Sequence, residues 1–353
     1  MVPIRGGIQE RATGGRVRAL TRGAPNERDG QGSGLHPATP PTLVRALSIG
    51  SRARCRFTRA RVHSVYRQAC NIELEDGALV TLLGREPGNV PHGIRCPLPR
   101  PADFRVWLRP DQVVATDGVW LHVAAAGVSI DLSAAARWRC GLDRCTIDLR
   151  AAVSVRALRL VHSVLREQTP QSGFAPLLLR DATPASPLEQ ALQRRLMRAL
   201  PDLSRADAGL DFAAAAQALA ALAGLGPGLT PSGDDFIVGY LAALYTRGAC
   251  EPLLWPYLSG LSEPVMQFAR SANLISRQYL LNALAGEFSE SLAQVVWAVS
   301  GSDDLRVREA TAQLVRVGHS SGADCLLGLL FGLCPALLRA DPGTARFVAP
   351  ASI

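Results

Sequence analysis

The spacing of apolar positions changes near residue 150. From residue 42 to that point they fall in short runs rich in β-branched side chains: Val62–Tyr66, Ala69–Leu74, Ala78–Leu83, Phe104–Leu108, Val113–Thr116, Val119–Val123 and Val128–Leu132. Turn-forming clusters such as Glu75-Asp76-Gly77, Pro87-Gly88-Asn89 and Arg109-Pro110-Asp111 separate them. Strands at this spacing, with no helix between them, predict an antiparallel sheet or small barrel over residues 42–150. Beyond residue 150 the apolar positions take a helical period. Helices are predicted over 151–168, 187–200, 205–223, 233–247, 252–270, 276–286, 289–300, 304–317 and 322–338, with Pro or Gly at most joints. Residues 171–187 hold three prolines and read as a loop. Strands first and helices second predict an α+β chain, with an all-helical second domain over 151–339.

Two ends fall outside this pattern. Residues 1–41 are rich in Gly, Arg and Pro and lack apolar periodicity, so they are expected to be a disordered tail. Residues 340–353 are expected to be a short C-terminal tail. The chain has 353 residues, of which 48% are hydrophobic and 19% charged, enough for a sizeable core. All 38 basic residues other than histidine are Arg. Without lysine, Schiff-base chemistry and the phosphate loop that ends in Gly-Lys-Ser/Thr are both excluded. The net charge of +8 belongs to one end: residues 1–67 carry 13 Arg and three acids, whereas the rest carries 25 Arg and 27 acids. A near-neutral body argues against a nucleic-acid binder. No apolar run is long enough for a membrane span, and no apolar leader opens the chain. The eight cysteines form no Cys-x-x-Cys pair and read as free thiols of a cytoplasmic protein.

The chemistry is concentrated in a repeat within the helical half. Residues 224–244 read GLGPGLTPSGDDFIVGYLAAL, and residues 318–333 read GHSSGADCLLGLLFGL. Set Ser232 beside Ser321, 89 residues on, and Ser, Gly, the second Asp, the Gly four residues later and the final Leu coincide. One reading is architectural. Ser-x-x-Asp is a capping box, and Gly328 and Gly332 share a helix face that a second helix could approach closely. The other reading is a ligand site. Glycine is denser in Gly224–Gly228 than capping needs, and Asp234 and Asp235 point about 100° apart on a helix, so only one can face the serine. Two helix N-termini brought together suit an anion or a planar carboxylate or amide. The residues expected to bind are Gly226, Gly228, Thr230, Ser232, Gly233, Asp234, Ser320, Ser321 and Gly322. Asp235, Asp324 and His319 are expected to do chemistry, with His319 as a proton carrier. A divalent cation held by Asp234, Asp235 and Asp324 is compatible with this set, but no resident cofactor is expected. Asn273 and Arg277 either cap a helix or face the same pocket. Asn71, Asn89 and His92 read chiefly as turn chemistry.

The string GLGPGLTPSGDDF, the SANLIS segment and GHSSGADCLLGLLFGL, behind a β-rich front half, resemble the AllH family over roughly residues 43–338. The resemblance implies a subunit of a bacterial oxamate carbamoyltransferase of allantoin and purine catabolism. That activity cleaves oxalurate with phosphate to oxamate and carbamoyl phosphate. It also implies a small anionic substrate and two companion subunits. A non-catalytic small-anion-binding or assembly subunit is the alternative.

Overall fold

The computed structural model describes residues 42–98, 102–179 and 186–338. The expected tails, 1–41 and 340–353, lie outside the described residues. The fold class is the expected one, strands followed by helices.

Ten strands form one sheet: β1 (Thr42–Arg45), β2 (Ser48–Gly50), β3 (Phe57–Val65), β4 (Ala69–Leu74), β5 (Leu79–Leu83), β6 (Gly93–Arg95), β7 (Val113–Thr116), β8 (Trp120–Val123), β9 (Val128–Asp131) and β10 (Ala136–Trp138). Their order is β1-β9-β8-β7-β3-β4-β5-β6-β2-β10. Consecutive strands β1 and β2 stand near opposite ends of that order, yet only Ala46 and Leu47 separate them. Ala46 N donates to Asp131 O, and Leu47 N donates to Arg95 O. Two residues cannot span an open ten-stranded sheet, so the sheet curls until its ends approach. The middle, β9 through β5, is antiparallel; the pairings β1–β9, β5–β6 and β2–β10 are parallel. Val62, Ile72, Leu82, Ile94, Leu121 and Ile130 fill the inside of the curl.

Residues 104–108 are a correction. Their expected strand is a one-turn helix, α1 (Phe104–Trp107), started by Asp103, whose side chain accepts from Arg105 N. Local capping outweighs the alternating pattern there.

Ten helices follow: α2 (Ala152–Glu167), α3 (Ala175–Leu179), α4 (Pro187–Ala208), α5 (Phe212–Ala220), α6 (Ser232–Gly248), α7 (Leu254–Ser271), α8 (Leu274–Leu284), α9 (Glu290–Gly301), α10 (Asp304–Val315) and α11 (Ser321–Leu333). Two expectations shift. Helix α4 runs through Pro201 and ends at Gly209, and the expected loop over 171–187 contains α3. Helices α6 and α11 are the hub: almost every residue of both is buried, including the whole turn from Asp234 to Ile237.

The outer face of β5 explains how the halves join. All five of its residues are buried, because one face turns into the curl and the other meets the helices. Leu79 N donates to Gln278 on α8 at 3.1 Å. Asn89 donates through both its backbone and side-chain nitrogens to Glu290 on α9, each at 2.7 Å.

Candidate functional site

The two repeat helices cross at the glycines that the sequence repeat matches. A Cβ on Gly239 would lie 1.8 Å from the Cys325 carbonyl oxygen, and one on Gly328 would lie 2.0 Å from the Phe236 carbonyl oxygen. Each contact is the other's counterpart under the 89-residue offset. The correspondence continues upstream. Gly233 abuts the Leu222 carbonyl at the end of α5, and Gly322 abuts the Leu314 carbonyl at the end of α10. The helical core is therefore a pseudo-two-fold duplication of helix, glycine turn and helix. Its axis brings the starts of α6 and α11 together, where Thr230 Oγ1 and Ser321 Oγ are 2.6 Å apart.

The glycine turn before α6 uses positive φ at Gly224, Gly226 and Gly228, a backbone region that side chains disfavour. The capping-box reading is not realised. Pro231 and Ser320 precede the two helices, and neither helix has a side-chain cap bond. The serines are instead exchanged between helices. Ser321 and Thr230 lie beside Asp235, while Ser232 lies beside Asp324.

The three aspartates take different partners. Asp234 accepts from Gly224 N at 2.7 Å and from the Ser276 hydroxyl on α8, so it ties the glycine turn to a neighbouring helix. Asp324 is fully buried; its Oδ1 accepts from Phe174 N at 2.7 Å. Asp235, 9% exposed, is on the wall of a cavity, and its Oδ2 has no hydrogen-bond partner. Burial pushes Asp235 well above the usual carboxylate range. The Ser321 hydroxyl works against this, and the Asp324 and Asp234 carboxylates add to the rise. Burial likewise lifts Asp324 to about 6, opposed by the Ser232 hydroxyl and the Phe174 amide. Among the described residues, no cluster of three or more His, Cys, Asp or Glu side chains has the arrangement of a metal site.

The cavity, about 740 Å³, lies between the sheet and the helix starts. Thr230, Asp235, Ser321 and Gly322 line its helical wall; Asn71, Thr81, Asn89 and Arg95 line its sheet wall. Tyr279, Glu287, Glu290 and Arg316 are among its other polar lining residues. Burial raises the Tyr279 phenol to about 12, with the Asp235 carboxylate contributing, so Tyr279 is a neutral donor beside that aspartate. Arg95 gives one guanidinium nitrogen to the Arg85 carbonyl at 2.9 Å and leaves its buried Nε unpaired.

Among the expected site residues, Thr230, Asp235, Ser321 and Gly322 thus meet at one cavity. Ser232, Gly233, Asp234 and Asp324 sit behind its wall. Gly226 packs on Ser232, and Gly228 meets only Thr230 O, 3.9 Å from its would-be Cβ. His319 is exposed and, like the half-buried Ser320, is not part of the cavity wall. Asn273 takes the capping role, its side chain accepting from Ile275 N and Ser276 N, and Arg277 lies against Gly77 instead of the cavity. His92 is buried; Asn282 Nδ2 stands 2.7 Å from its Nδ1, and burial lowers its pKa to about 3. Arg95, Arg316, Tyr279, Glu287 and Glu290 carry no motif that marks them in the sequence. Arg95 ends a three-residue strand with no pattern around it. Asn71 and Asn89, read as turn residues, are wall residues as well.

A family model described as oxamate carbamoyltransferase subunit AllH matches residues 222–333, and one described as the AllH family N-terminal domain matches residues 45–137. No solved structure matches the chain. The first match spans the duplicated glycine turns and helices, and the second spans nearly all of the curled sheet, so the two walls of the cavity come from the two matched regions. The chain belongs to the AllH family.

Proposed function

We propose that this chain carries the carbamoyl site of an oxamate carbamoyltransferase, converting oxalurate and phosphate to oxamate and carbamoyl phosphate together with two companion subunits. The observation behind this reading is Asp235. It is a buried carboxyl with one unpartnered oxygen, set where two helix N-termini converge on a cavity that also holds Arg95 and Arg316. Helix N-termini and guanidinium groups suit the carboxylate of oxalurate and the phosphate. A carboxyl that keeps its proton suits a step that must protonate a leaving nitrogen.

The balanced step needs no lysine and no cysteine nucleophile. A phosphate oxygen attacks the ureido carbonyl carbon. The bond from that carbon to the oxamate nitrogen breaks, and the nitrogen takes the Asp235 proton. The phosphate hydroxyl proton then restores Asp235. Tyr279 stands beside Asp235 as a neutral donor, suited to the carbonyl oxygen as charge develops on it. Ser321 and Thr230 orient the Asp235 carboxyl.

The test is phosphorolysis of oxalurate by the chain assembled with its companion subunits. Asp235→Asn keeps the shape of the side chain and removes the titrating proton. Turnover is expected to fall by at least about 100-fold, the usual scale for losing a general acid. Turnover within a few fold of wild type would leave the chain a binding or assembly subunit and put the chemistry elsewhere.

A further inference from the structure

The duplication supplies an internal standard for what Asp235 takes. Asp235 and Asp324 are counterparts under the 89-residue offset, each beside the serine of the opposite helix. Each also leaves a buried Oδ2 without a hydrogen-bond partner, so the difference between them lies elsewhere. At Asp324, the chain itself supplies an amide to the other oxygen. The segment Gly173–Ala175 crosses the start of α11, and Phe174 N donates to Asp324 Oδ1 at 2.7 Å. Its approach is so close that a Cβ on Gly173, which has φ +89°, would lie 2.5 Å from Asp324 Oδ2. Among the described residues no backbone amide donates to the Asp235 carboxyl, which lies on the cavity wall instead.

We infer that Asp235 receives a planar N–H donor of the amide, carbamoyl or ureido class, in the place that the Gly173–Ala175 peptide takes at Asp324. One half-site is filled by the chain's own amide; the other takes the same chemistry from a ligand. A buried acceptor without a donor is costly, and a site built around such an acceptor discriminates strongly against ligands that cannot donate. The inference rests on the cavity being the carbamoyl site and adds that the Asp235 carboxyl, which gives its proton to the leaving nitrogen, also accepts an N–H of the carbamoyl group on its other oxygen. The nitrogen end lies at the crossing of α6 and α11, which directs the anionic end toward the arginines on the wall. It also assigns Asp324 to architecture: it holds the Gly173–Ala175 segment in place and touches no ligand.

Carbamoyl phosphate and acetyl phosphate test this directly, because a methyl group replaces the amino group and the phosphate is unchanged. Both are titrated calorimetrically into the full chain, with inorganic phosphate as a third probe. Carbamoyl phosphate is expected to bind at least tenfold more tightly than acetyl phosphate. In Asp235→Leu, which has no acceptor at that position, that preference is expected to fall below threefold. Equal affinity of the wild type for the two acyl phosphates overturns the N–H assignment and leaves the cavity as an anion site. Binding of neither overturns the carbamoyl-site reading, and this inference with it. The wild-type comparison decides the matter even where Asp235→Leu does not fold.

Discussion

At the residue scale, the buried carboxyls make stability depend on pH in a definite direction. The Asp324 pKa is lifted to about 6 in the fold. A carboxyl raised above its unfolded value favours the protonated folded state. Its contribution is therefore most favourable below the ordinary carboxylate pKa of about 4 and is lost as pH rises toward 6. Asp324→Asn keeps an acceptor for Phe174 N and has no charge to bury. It is expected to raise the melting temperature at pH 7.5, by an amount on the order of 1–3 kcal/mol in stability, with the gain shrinking toward pH 4. A gain of equal size at both pH values would contradict the assignment. His92 acts in the opposite sense. Burial lowers its pKa to about 3, so stability present above its ordinary pKa of about 6.5 is lost as pH falls below it. His92→Gln is expected to destabilise the chain at neutral pH and to flatten the acid slope of a melting series between pH 6.5 and 4. An unchanged slope would show that His92 is not the residue that titrates on acid unfolding.

At the element scale, the crossing of α6 and α11 depends on two glycines. Any side chain at Gly239 or Gly328 meets backbone carbonyl oxygen at about 2 Å or less, so the helices must separate. Gly328→Ala is expected to cost about 3 kcal/mol in urea unfolding, at the upper end for overpacking. Gly301→Ala is the control. Its Cβ would meet nothing within 4 Å, and Ala favours helix, so a change of less than about 1 kcal/mol in the stabilising direction is expected. Equal losses at the two positions would rule out the close crossing. Much of this element was legible. Gly328 and Gly332 on one face announced a close helix, and the matched Ser-Gly-x-Asp starts announced the pair. The exchange of serines between helices was not legible. A capping box and a crossed pair use the same residues at the same spacing, and only the tertiary crossing distinguishes them. The same limit made Asp324 look like a twin of Asp235, because the Phe174 amide that occupies it lies 150 residues away in the chain.

At the scale of the whole molecule, the site exists because the sheet is docked on the helices. Leu79 N and Gln278 are one joint, and Asn89 with Glu290 is another. Gln278→Leu leaves the Leu79 amide buried without an acceptor. It is expected to cost about 1–3 kcal/mol and to speed hydrogen exchange at the Leu79 amide. Unchanged protection of that amide would show that the joint does not restrain β5. The order of strands and then helices was readable from the change in apolar period. The curl was readable only as the small-barrel alternative; where it closes was not, because β1, β2, β6 and β10 have only three or four residues each, too few to show a period. With that closure unplaced, so was the sheet wall of the cavity. Arg95 had no signal in the sequence, and Asn71 and Asn89 carried only a turn signal. No helix among the described residues is long and apolar enough to cross a membrane.

The most direct test of the account is a structure of the chain determined with carbamoyl phosphate at saturating concentration. The ligand is expected in the cavity between the sheet and the starts of α6 and α11, with its amide nitrogen about 2.7–3.2 Å from an Asp235 carboxyl oxygen. Its phosphate should lie toward Arg95 or Arg316. A ligand bound elsewhere, or bound in the cavity with its nitrogen turned away from Asp235, would contradict it.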